Sequence, residues 1–77
     1  MDYDKPLTKK QCERFAFMLR QKRKDNKLTL KELENKLGYP IATISNWERL
    51  KTAPDMYNVE DVATYFNLPM NIFLGER

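Results

Sequence analysis

The chain has no histidine and only one cysteine, Cys12, among its 77 residues. A lone cysteine cannot close an intramolecular disulfide. Without histidine, the usual zinc ligand sets, a Cys–His pair and a Ser–His–Asp triad are all excluded. No catalytic constellation, metal or cofactor is therefore expected, and a reducing, cytoplasmic setting fits the cysteine usage. Two glycines and four prolines are too few for a fibrous or low-complexity chain. No apolar run approaches the roughly 18 residues of a membrane span, and no signal-peptide pattern opens the chain. A soluble protein with no membrane partner is the expectation.

What is present suffices for one small domain. Hydrophobic residues make up 42% of the chain and aromatic residues 12%, enough for a single compact core near the lower size limit for unassisted folding. The net charge of +3 is unevenly spread. Residues 1–27 carry nine Lys/Arg against four Asp/Glu, residues 28–51 four against three, and residues 52–77 one against four. A basic front and an acidic tail fit an oriented polyanion-binding face. They equally fit an ordinary solvated helix surface.

Local signals divide the chain into helices. Residues 1–7 read as a flexible polar arm, with Pro6 near its end, ahead of a single domain over 8–77. Thr8-Lys9-Lys10-Gln11 has the S/T-x-x-E/Q form of a capping box, and Leu7 is placed to staple against Cys12. Cys12, Phe15, Ala16, Leu19 and Arg23 then share one helical stripe, which predicts a first helix from about Lys9 to Lys24. Thr29-Leu30-Lys31-Glu32 is a second capping box, opening a short helix stopped by Gly38. A third helix after Pro40 carries Ile44 and Trp47 inward and ends around Arg49. Asp55 caps a fourth, with Met56, Val59, Val62, Ala63 and Phe66 on its apolar side. Asn67-Leu68-Pro69 repeats the stop of Gly38-Tyr39-Pro40, and a last short helix runs from Met70 to Leu74. The expectation is an all-α, compact five-helix domain.

The two short helices around Gly38 have the parts of a DNA-reading pair. A tight turn at Gly38 joins them, Leu33, Leu37, Tyr39, Ile44 and Trp47 hold them together, and the second is free to enter a groove. Over residues 15–74 the chain resembles the lambda-repressor-like helix-turn-helix family, the Cro and phage-repressor group of XRE-like transcriptional regulators. The residues that carry the resemblance are Leu19-Arg20-x-x-Arg23, Leu28-Thr29-x-x-x-Leu33, Leu37-Gly38-Tyr39 and Ile44-Ser45-x-Trp47-Glu48-Arg49. Pro54 and the run from Leu68 to Leu74 add to it.

The resemblance implies the lambda-repressor-like fold, with the second and third helices as the helix-turn-helix. It implies an ion pair between Arg23 and Glu48 that orients the reading helix. It places Ile41, Ala42, Ser45, Asn46 and Arg49 toward bases, and Arg20, Thr29, Thr43 and Lys51 toward phosphates. Ile41 and Ala42 offer only methyl contacts, whereas Asn46 suits adenine and Ser45 either strand. The implied function is a sequence-specific transcriptional regulator that binds a double-stranded DNA operator as a homodimer. Ile72, Phe73 and Leu74 are candidate dimer contacts, or core residues of the monomer.

Four positions depart from the family pattern. Leu30 stands for a phosphate-binding Gln, Glu34 for a small residue, Pro40 for a capping Ser or Thr, and Leu50 for a helix-closing Gly. The apolar opening Pro40-Ile41-Ala42 leaves a second possibility open. A protein-interaction module of the same fold, such as an anti-repressor or an antitoxin, would bind another regulator protein through that face.

Overall fold

The computed structural model describes residues 5–75. Reciprocal side-chain caps set the starts of three helices. Thr8 Oγ1 accepts from the Gln11 amide at 3.1 Å, while the Thr8 amide donates to Gln11 Oε1 at 2.8 Å, opening α1 (Lys9–Asp25). Thr29 and Glu32 do the same, at 3.1 and 2.7 Å, for α2 (Leu30–Leu37). The box that opens α4 (Met56–Phe66) joins Asp55 to Asn58 at 2.8 and 2.9 Å. The intervening α3 (Ile41–Glu48) and the final α5 (Met70–Leu74) each follow a proline, Pro40 and Pro69, that makes no side-chain cap.

Three helix ends share one closing device. After α1, Lys27 turns left-handed (φ +56°), its amide donating to the Lys24 carbonyl and the Leu28 amide to the Arg23 carbonyl, both at 2.9 Å. Leu50 (φ +60°) closes α3 in this way, and Asn67 (φ +59°) closes α4. This pairing satisfies carbonyls that the last turn of a helix leaves unbonded. Gly38 (φ +83°) ends α2 in the same left-handed region, with its amide on the Glu34 carbonyl at 2.9 Å.

The apolar stripes meet in one core. Phe15, Leu19, Leu33, Ile44, Val59, Val62 and Phe73 are fully buried, and Trp47 and Ala63 nearly so. Phe15 stands edge-on to Trp47 at 5.7 Å and tilts against Phe73 at 6.0 Å, so one ring of α1 ties α3 to α5. α1 packs on α3, α4 and α5, while α2 packs on α3 and α4. The described residues are all helix and connecting turns, five helices in a lambda-repressor-like arrangement, spanning 30 × 24 × 18 Å.

Of the two alternatives left open for Phe73, the monomer core holds it: its ring is fully buried against Phe15 and Phe66. Its neighbours Ile72 and Leu74 are half-buried against the same core. At the other end, Leu7 is buried beside α1, with Cys12 packed on the same cluster, so the expected arm is anchored by its last residue. Residues 1–4 of that arm, and residues 76 and 77 of the expected domain, lie outside the described residues.

Candidate nucleic-acid interface

α3 has a buried side and an outward side, as its helical spacing requires. Ile44 and Trp47 enter the core. Ala42, Ser45, Asn46 and Arg49 lie opposite them, Ala42 and Arg49 exposed, Ser45 and Asn46 half-buried. Ile41 and Thr43 flank that face and are half-buried.

The C-terminal end of α3 is clamped. Arg23 Nε donates to Glu48 Oε2 at 2.8 Å and Nη2 to Glu48 Oε1 at 3.0 Å, a two-point contact. Arg23 Nη1 also donates to the Leu28 carbonyl at 3.1 Å. One guanidinium therefore joins α1, the turn before α2 and α3. The two side chains are only 15% and 7% exposed, so the pair is largely withdrawn from water. The Glu48 hydrogen bond raises the Arg23 pKa further, outweighing desolvation, so the guanidinium stays charged.

The N-terminal end of α3 is held by a residue of α2. Pro40 cannot cap, and Glu34 Oε2 accepts from the Ile41 amide at 3.3 Å instead. Lys31 Nζ holds the other oxygen at 3.1 Å. The Lys31 hydrogen bond first, then the Ile41 amide, hold the Glu34 carboxyl below its ordinary pKa. A carboxylate at this end complements the helix dipole, and it occupies a place where free helix amides would otherwise receive a phosphate.

A third brace fixes the turn itself. The Tyr39 ring stands edge-on to Trp47 at 5.2 Å. Its hydroxyl donates to Asp61 Oδ2 and accepts from Asn58 Nδ2 at 3.1 Å, both residues belonging to α4.

The expected phosphate-contacting residues come from several elements. Arg20 is exposed on α1, one turn before Arg23; Thr29 is exposed at the head of α2; Thr43 flanks the outward face of α3; Lys51 is exposed just after it. Thr29 Oγ1 already accepts from the Glu32 amide, which leaves its hydroxyl hydrogen free to donate. Glu34, Asn58 and Asp61 were missed as supports of this face. Their partners lie across helices, and the one visible signal was the capless Pro40.

A family model described as helix-turn-helix matches residues 19–73, a span that holds α2, Gly38 and α3 at its centre. The chain belongs to the helix-turn-helix family, of the lambda-repressor type. No curated protein and no solved structure matches it significantly. Membership makes this helix-turn-helix protein a DNA-binding regulator in the general sense, in a family that is typically non-enzymatic. Burial, then the Glu13 charge, push the Cys12 thiol pKa up. Among the described residues no helix is long and apolar enough to cross a membrane.

Proposed function

We propose that this chain is a sequence-specific transcriptional regulator of the phage-repressor or Cro type, placing α3 in the major groove. The observation that carries the reading is the mounting of α3. Its buried side and both ends are fixed by core packing, Arg23, Glu34 and Tyr39, and its other side presents Ala42, Ser45, Asn46 and Arg49. A rigid reading element pays less ordering entropy on docking.

In this reading Asn46 takes adenine through its amide, Ser45 serves either strand, and Arg49 takes guanine or a phosphate. Ile41 and Ala42 meet thymine methyls. Arg20, Thr29, Thr43 and Lys51 hold phosphates and set the register. So small a module makes few contacts, so a cytoplasmic homodimer on two half-sites about 34 Å apart supplies the affinity. The two half-buried residues Ile72 and Leu74 are the remaining candidates for its interface.

The test is a binding titration on random and genomically adjacent duplexes at several salt concentrations. Affinity that falls steeply with salt, together with one preferred site, supports the regulator. A second reading, a protein-binding module such as an anti-repressor or antitoxin, is favoured by the Glu34 carboxylate at the start of α3. Absence of DNA binding even at low salt would select it.

A further inference from the structure

Leu50 closes α3 with a side chain that a glycine at the same place would not carry. Its φ of +60° puts a branched side chain where glycine would sit without strain. That side chain is also 53% exposed, so burial does not offset the strain. Closure accounts for the left-handed backbone, as at Lys27 and Asn67, and what it leaves over is an exposed apolar side chain at the end of α3.

Leu50 borders an open groove of about 340 Å³ between the first turns of α1 and the loop after α3. Cys12, Leu50 and Ala53 make its apolar part, and two exposed lysines from different elements, Lys9 and Lys51, line it with Thr52. Glu13 is the one carboxylate in the lining, so the groove is net positive. It begins one residue past Arg49, which ends the outward face of α3. Lys9 lies in the first turn of α1, ten residues before the family match begins.

We infer that this groove receives the sugar–phosphate backbone of duplex DNA beside the bases read by α3. Deoxyribose packs on Leu50 and Ala53, and Lys9 and Lys51 neutralise neighbouring phosphates. Charge decides against an apolar protein segment: two lysines against one carboxylate make the groove cationic, and it continues the Arg49 end of α3. The inference rests on the DNA-reading role proposed above and extends its contact surface to the first turn of α1.

The experiment is fluorescence anisotropy of the full chain on one random duplex between 50 and 300 mM salt, about the range over which counterion release is read. Lys9→Gln and Lys51→Gln are each expected to reduce the slope of log affinity against log salt by about 0.9. Base preference should be unchanged. Lys10→Gln makes the same charge change in the same turn outside the groove and should leave the slope near wild type. Leu50→Gly should weaken binding while raising the thermal midpoint, an outcome that a misfolded variant cannot mimic. A wild-type slope in Lys9→Gln, or an equal shift in Lys10→Gln, overturns the groove while leaving DNA binding intact. Conversion of a wild-type dimer to monomer by Leu50→Gly, with the slope unchanged, assigns the groove to a second copy and also overturns it. Failure of the wild type to bind any duplex removes the DNA-reading role itself.

Discussion

Arg23 grips Glu48 through both carboxylate oxygens, at 2.8 and 3.0 Å, and thereby fastens the end of the reading helix to the first helix of the domain. The pair is largely dehydrated, so its net contribution to stability is small relative to an apolar replacement, but either half alone is costly. Arg23→Ala or Glu48→Ala is expected to lose about 3–5 kcal/mol in denaturant unfolding. Replacing both with apolar residues of similar volume should cost much less than the two losses combined, because no charge is stranded. Equal and additive losses would show that the two side chains act independently.

Gly38 and Leu50 make opposite predictions from the same backbone conformation. Gly38 has φ +83°, and a Cβ built there meets nothing within 4 Å, so Gly38→Ala tests the left-handed backbone alone. A loss of about 1–2 kcal/mol is expected. Leu50→Gly relieves the same strain, less the entropy regained by the unfolded chain, for a net gain of about 0.5–1 kcal/mol. Paired thermal and denaturant melts decide both, and a destabilised Leu50→Gly protein would refute the strain.

Much of the fold was legible in the sequence because its signals are local. Thr8 with Gln11 and Thr29 with Glu32 are boxes three residues wide, and the Phe15–Leu19 and Val59–Val62 stripes repeat within single helices. The site was legible only where it rests on the same periodicity, as in the inward Ile44 and Trp47. Its supports were not, because they pair across helices: Glu34 with the Ile41 amide, and Tyr39 with Asp61, 22 positions away. Spacing within α5 could not say whether Phe73 faces the core or a partner. Only the packing of that helix on α1 and α4 decides it.

Glu34 should make the start of α3 sensitive to acid. Its pKa is lowered in the folded protein from an ordinary value of 4.5, by Lys31 first and then the Ile41 amide. A lowered folded pKa gives stability that is present above pH 4.5 and lost as pH falls through the folded value. The melting midpoint of wild type should therefore exceed that of Glu34→Gln at pH 6, with the gap closing as the pH falls below 4.5 and through the lowered folded value. A gap that persists into acid would mean that the carboxylate charge is not what holds the helix start.

Tyr39 allows a parallel test at high pH. Burial, then the hydrogen bond to Asp61, raises its pKa above the ordinary value of 10.0. For a phenol this favours the folded state up to about pH 10, and the benefit fades as pH rises through the folded value. Tyr39→Phe keeps the ring on Trp47 but loses both hydroxyl contacts, so a loss of about 1 kcal/mol is expected at neutral pH. Hydrogen-exchange protection in α2 and α3 should fall with it. Unaltered stability would show that the ring contact alone braces the turn.

Asn46 is the sharpest probe of what α3 reads. It lies on the outward face with Ala42 and Arg49, and its amide is the one side chain there with a donor and an acceptor in the geometry that adenine presents. Asn46→Ala removes that pairing and touches neither the core residues Ile44 and Trp47 nor the Arg23–Glu48 clamp. Affinity for the preferred duplex should fall by about 1–3 kcal/mol, with non-specific affinity and its salt slope unchanged. Preference should relax at one base pair in each half-site. A variant that keeps the wild-type preference would take Asn46 out of the reading set and leave Ser45 and Arg49 to carry recognition.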